Sequence, residues 1–130
     1  MKNQRGQGLV ELALCAPLVI VLTLAAVAIV QIEVAATGLE AATQAAAAAA
    51  ARAPDASTAI TLAERRFAAV VKLYPLRSPA VSVRVGDFSR SGSVTVESTA
   101  FVDLAWAAGL SGTARLQSKV ELGLDRWRSR

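Results

Sequence analysis

The apolar positions along this chain change pattern twice, from an unbroken run to a helical repeat and then to strict alternation. From Leu12 to Val30, nineteen residues reading LALCAPLVIVLTLAAVAIV pass without a charge. At 1.5 Å per residue, a helix of that length covers roughly the 30 Å of a hydrocarbon layer. Eleven of the nineteen are Leu, Ile or Val. Each contributes about −0.3 to −0.6 kcal/mol to insertion near the helix centre, so the run favours a bilayer by a few kcal/mol. Pro17 falls in the first turns of the run, where a lost backbone hydrogen bond costs least and a slight kink is expected.

No breaker appears between Val30 and Pro54. Glu33, Thr37, Glu40 and Gln44 fall at i, i+4, i+7 and i+11, one polar stripe on an Ala-rich surface that includes the run Ala45 to Ala51. The pattern predicts a single helix over residues 7–52, membrane-spanning over about 12–30 and continuing as an Ala-rich stalk. Alanine lets neighbouring backbones approach closely, so the stalk either packs laterally against other subunits or is a plain spacer.

Arg52-Ala-Pro-Asp-Ala-Ser breaks this helix, with Asp55 or Ser57 available to cap the next. Ile60, Ala63, Phe67, Val70, Val71 and Tyr74 then recur at helical spacing up to Pro75, with Glu64, Arg65, Arg66 and Lys72 on a solvated face. Beyond Pro79 the period becomes two. Val81, Val83 and Val85 form one strand, Val94, Val96 and Val102 a second after a turn at Ser89 to Gly92, and Leu116, Val120 and Leu122 a third. Three such strands predict an antiparallel sheet with one wet face, its dry face covered by the preceding helix.

The fold class is therefore α+β, a long N-terminal helix followed by a second amphipathic helix packed on a small three-stranded antiparallel sheet. The chain divides into residues 1–6, residues 7–52, and a small head over residues 53–130. Between the last two strands, the apolar connection around Trp106 either seals the core or presents a patch to another subunit. The tail from Asp125 to Arg130, with Trp127 among its charges, reads as solvated, with contact to headgroups or an acidic partner as the other reading.

Composition sharpens the contrast between the two halves. Of 130 residues 54% are hydrophobic and 18% charged, too apolar for a disordered chain. The surplus lies in the N-terminal segment, and the remainder after Ala53 is near the size at which one core is marginal alone, so it is expected to lean on the helix before it or on a partner. With no His, and Cys15 as the only Cys, a disulfide framework, a zinc site and the ordinary Ser-His-Asp triad are out of reach. No carboxylate pair or phosphate loop replaces them, so no enzyme activity, cofactor or small-molecule substrate is expected. The net charge of +4 is scattered rather than blocked and gives no reason to expect nucleic-acid binding.

Lys2, Arg5 and the terminal amine precede the span, whereas Glu33 and Glu40 follow it before the next cation, Arg52. The positive-inside rule then places the N-terminus in the cytoplasm and the head outside. A cleaved secretory signal peptide is the competing reading. The run is longer than the usual apolar core of such peptides, and Glu11 interrupts its junction with the basic start. Leu14 is too bulky for lipoprotein processing at Cys15, which reads instead as a buried apolar thiol.

Arg5-Gly6-Gln7-Gly8-Leu9-Val10-Glu11 abuts the span. A carboxylate at the edge of a membrane helix is costly unless it snorkels or is paired. Cutting between Gly6 and Gln7 would make Glu11 the fifth residue and place a new amine one helical turn away, on the same or a neighbouring subunit. A short basic leader ending in Gly, followed by Glu at the fifth mature position of a hydrophobic helix, looks like the processing site of type IV prepilins and pseudopilins.

RGQGLVELAL followed by APLVIVL resembles the TadE-like proteins, small pilin-related components of the tight adherence (Flp-type) pilus machinery. The resemblance is strongest over Arg5 to about Arg52 and architectural beyond, where it implies the pilin-like plan of a long helix followed by a sheet. It implies cleavage by a prepilin peptidase, with Gly6 ending the leader, Gln7 starting the mature chain and Glu11 as the processing and assembly carboxylate. It also implies residence in the bacterial inner membrane or a surface pilus, with other pilins, pseudopilins and inner-membrane assembly proteins as partners. No Tyr follows Glu11, the next residue being Leu12, which suits a minor pilin or pseudopilin better than a major filament subunit. The alternatives are a single-pass envelope-anchored binding protein unrelated to pili and a secreted protein released by signal peptidase.

Overall fold

The computed structural model of the chain describes residues 2–87, 92–105 and 111–124. In order these form α1 (Lys2–Ala51), α2 (Ala56–Val71), β1 (Arg77–Val85), β2 (Ser93–Ala105) and β3 (Ser111–Gly123). The strands make one antiparallel sheet with β2 in the centre. The α+β class and the element order agree with the sequence pattern. The turn at Ser89, the Trp106 segment and the tail around Trp127 lie outside the described residues.

α1 is continuous through Pro17 and begins five residues before Gln7, so the segment expected to precede the helix is helical too. Nothing at Gly6 or Gly8 ends it, although each glycine costs roughly 1 kcal/mol relative to alanine. Thr23 disposes of its hydroxyl within the helix by donating to the Val19 carbonyl at 2.8 Å. The surface of α1 is exposed all round from Arg5 to Thr23, including Leu9, Leu12, Leu14, Leu18 and Leu22. The helix is long and apolar enough to cross a membrane. Cys15 lies on this apolar surface, uncovered by the rest of the described chain.

From Leu24 onward one face of α1 is covered, and here the stalk expectation needs correcting. Leu39, Ala42, Ala46, Ala47 and Ala50 lie in the same core as Ala59, Ala63, Phe67 and Val71 of α2 and Val94, Val96 and Ala100 of β2. α1 lies across β2 and β3, while α2 packs beside α1 and reaches β1. The first helix, more than the second, therefore covers the dry face of the sheet. Alanine explains why: a helix face without bulk sits close on a sheet whose central strand turns valine, serine and alanine inward. The core accordingly starts inside α1, well before residue 53. The polar stripe expected at Glu33, Thr37, Glu40 and Gln44 is exposed on the opposite face.

Thr43 interrupts the alanines and is fully buried, as is Ser98 facing it from β2. Its hydroxyl donates to the Leu39 carbonyl at 2.7 Å and lies 2.6 Å from Ser98 Oγ. A threonine has one hydroxyl proton, so Ser98 is the donor in the second bond. The pair leaves no buried hydroxyl unsatisfied, and it fixes where β2 crosses α1.

α2 starts at Asp55, whose carboxylate accepts from Ser57 Oγ at 2.6 Å, Thr58 N at 2.8 Å and Thr58 Oγ1 at 2.9 Å. These bonds, that from the Ser57 hydroxyl foremost, lower its pKa from 3.8 to about 2. A carboxyl group depressed on folding stabilises above its unfolded value, and the gain is lost as pH falls through the folded one. Thermal unfolding followed by circular dichroism should show a drop in Tm between pH 3.8 and about 2. Asp55→Ala should lower Tm at neutral pH by a few degrees and flatten that part of the profile. An unchanged acid profile in the variant would remove the cap from this account.

The buried stripe of α2 is Ala59, Ala63, Phe67 and Val71. Ile60, expected on it, is exposed and Ala59 takes its place, because α2 meets α1 through small residues. Beyond α2, the Tyr74 ring packs on Gly38 of α1, where a Cβ would overlap the ring carbons Cγ and Cδ1. Gly38→Ala should gain about 1 kcal/mol of helix propensity but lose about 1–3 kcal/mol to overpacking. A net fall in Tm is expected, and much of it should disappear in the Tyr74→Ala background. A stabilised Gly38→Ala protein would show that the ring yields freely.

β1 begins at Arg77, earlier than the alternation indicated, and takes in Pro79 because it is an edge strand. A bulge separates Arg77 from Ala80, and Ser78 within it has φ 47°. Val81, Val83 and Val85 are half-buried against the core, as are Leu116, Val120 and Leu122 of β3. The other face of the sheet is wet. Arg77 pairs there with Asp103 at 3.2 Å and Lys119 with Glu97 at 3.4 Å, exposed contacts each worth about 0–1 kcal/mol.

Candidate functional site

Gly6, Gln7 and Glu11 all lie on α1, ahead of its exposed apolar stretch. A helix puts residues four apart on one face, so Gln7 and Glu11 share a stripe one turn apart. All three are exposed, and a Cβ at Gly6 would meet nothing within 4 Å. The Gly6–Gln7 peptide is therefore open to an enzyme on every side except along the helix itself. Glu11 is flanked by Leu9, Val10 and Leu12, which are 68%, 59% and 68% exposed. Among the described residues nothing pairs with its carboxylate.

The chemistry available here is that of a latent charge pair. While the peptide is intact, Gln7 contributes an uncharged backbone nitrogen to the helix. Hydrolysis would turn that nitrogen into an amine, a cation one turn from Glu11 and at the same end of the apolar stretch. Within one chain the pair would lie along the helix; between adjacent chains it would set their axial offset.

An open concavity of about 320 Å³ lies between β2 and β3, lined by Glu97, Ser98, Thr99, Gln117, Ser118 and Lys119. Its two charges already face one another across the strands, and Ser98 is committed to Thr43. The rest of the lining is the Gln117 amide and the hydroxyls of Thr99 and Ser118.

A further feature escaped the sequence pattern. Ala28 is buried, and Leu24, Ala25, Gln31 and Ile32 are partly covered, although Leu24 to Ala28 belong to the uncharged run assigned to the bilayer. Gln31 Oε1 is buried without a hydrogen-bond partner among the described residues. The one sequence signal was Gln31 itself, a polar residue just past the run.

Compared with protein-family models, with curated proteins and with solved structures, the chain matches none.

Proposed function

We propose that this protein is a minor pilin or pseudopilin that takes part in assembling a tight adherence (Flp-type) pilus after a prepilin peptidase removes residues 1–6. The observation that carries this reading is the unpaired Glu11 on the face of Gln7, at the head of a helix whose surface is uncovered from Arg5 to Thr23. A membrane-embedded carboxylate without a partner is costly, and trimming at Gly6 creates a partner in the right place.

In this reading α1 inserts with its N-terminus cytoplasmic, following the positive-inside rule, and the head stands outside the inner membrane. The leader cation Arg5 holds that orientation until it is removed. Glu11 then meets the Gln7 amine of its own or a neighbouring chain, and the exposed apolar surface of α1 packs against other pilins. The protein's work is mechanical, and its partners are the peptidase, other pilin-type subunits and the inner-membrane assembly proteins.

Mass spectrometry of the protein recovered from the cell envelope tests this directly. A chain beginning at Gln7 is expected, and Gly6→Val should leave the leader attached, because the added branched side chain occupies the open space beside the scissile bond. A wild-type chain still beginning at Met1 would remove the basis for the pilin reading and leave a tethered binding protein. A chain beginning beyond Val30 would indicate a secreted product.

A further inference from the structure

The β2–β3 hairpin overhangs the rest of the head. β1 ends its pairing with β2 at Arg77↔Phe101, whereas β2 and β3 stay paired down to Ala105↔Ser111. Residues 102–105 and 111–114 thus project as a two-stranded extension.

Its direction follows from two contacts. Tyr74 sits on Gly38, and Arg77, three residues later, pairs with Phe101. Passing along β2 from Ser98 through Phe101 therefore leads from Thr43 toward Gly38 and on toward the N-terminus of α1. With Thr43 and Ser98 in contact, the seven residues from Ser98 to Ala105 carry the strand about 23 Å. The fifteen residues from Thr43 back to Ala28 carry the helix about 22 Å.

The end of the hairpin is therefore level with Ala28. This accounts for the covered face at Ala28 and Gln31, since α2 and β1 both stop near Gly38. Val102 of the extension is 2% exposed, which shows the extension is packed down rather than splayed.

We infer that the two-stranded extension formed by residues 102–105 and 111–114 is a second membrane-contacting element, resting in the extracytoplasmic headgroup layer beside the span. The inference rests on α1 being a membrane anchor. The hairpin cannot enter the hydrocarbon, because β2 without β1 and the outer side of β3 present unpaired backbone groups, each costing several kcal/mol there. It can enter the interface. Residues 102–105 and 111–114 carry a single charge, Asp103, and it is held by Arg77 at 3.2 Å.

The hydrocarbon boundary then lies at or below Ala28 instead of at Val30. A span of about 20 residues ending at Val27 begins near Gly8 and places Glu11 about 4–5 Å inside the apolar layer. The head thereby sets the depth at which the assembly carboxylate sits.

The test uses the full chain with Cys15→Ser and one spin-labelled cysteine at a time, at Ile20, Thr113 or Glu121. The chain is reconstituted in phosphatidylcholine–phosphatidylglycerol vesicles containing a nickel-chelating headgroup lipid. Thr113 and Glu121 are both exposed on β3 and about 26 Å apart. Lipid-borne nickel should relax the label of Thr113→Cys severalfold more than that of Glu121→Cys, while Ile20→Cys reports oxygen-rich lipid. Equal relaxation at Thr113 and Glu121, with Ile20 in lipid, would overturn the hairpin contact and leave the anchor standing. Shielding of Thr113 from both lipid-borne and soluble nickel would also overturn it, showing protein where lipid is inferred. If Ile20 lies in water, the anchor reading itself fails.

Discussion

Glu11→Ala is expected to leave the protein inserted and trimmed at Gly6 but absent from assembled filaments, with surface piliation lost. Insertion should not suffer, since a carboxylate in the apolar layer opposes it by up to about 2.5–3.5 kcal/mol at the centre and less near the edge. Alanine removes that penalty. What alanine cannot do is answer the Gln7 amine, so two cationic N-termini brought together would repel one another. Membrane fractionation, mass spectrometry of the N-terminus and electron microscopy of the cell surface read the three steps separately. Glu11→Gln, which keeps size and hydrogen bonding but not charge, should behave like alanine, while Glu11→Asp should keep partial function. Normal piliation in Glu11→Ala would sink the proposed pairing even if processing at Gly6 is found.

A second large effect is expected where the chain looks least specific. Ala46 lies in the alanine run and is 0% exposed, as are Ala42, Ala47 and Ala50. Ala46→Leu should destabilise the head by about 1–3 kcal/mol, because three added carbons force α1 away from the sheet or push neighbours off their rotamers. Leucine is nearly as good a helix former as alanine, so a bare spacer would tolerate the change. Gln44→Leu, two residues away on the exposed face, supplies the control and should fall within about 0.5 kcal/mol of wild type. Unfolding in detergent followed by circular dichroism measures both. Equal stability of the two variants would mean that the alanine face carries no packing.

The alanine run also shows where reading a sequence falls short. Leu12 to Val30 and the Val81 to Val85 alternation declare their environment through side-chain chemistry, because a large apolar residue must be hidden from water. Alanine carries little of that force and is compatible with a helix in solvent, in lipid or against a sheet. The run from Ala45 to Ala51 was therefore readable as helix but silent about its neighbour, and the same ambiguity placed Ile60 where Ala59 lies.

At the candidate site, the spacing of Gly6, Gln7 and Glu11 was wholly legible, since one turn of helix is a local matter. Its depth was not. The uncharged run alone puts the bilayer edge at Val30, and only the overhang of β2 and β3 argues for moving it toward Ala28.

Element order, the breaks at Pro54 and Pro75, the three alternating strands and the anchor-like helix follow from the chain alone, because each depends on residues within a few positions of one another. The helix that covers the sheet, the ring on Gly38, the Thr43–Ser98 bond and the reach of the hairpin depend on surfaces far apart in sequence. Shape and hydrogen bonding match those surfaces only once the chain has closed on itself.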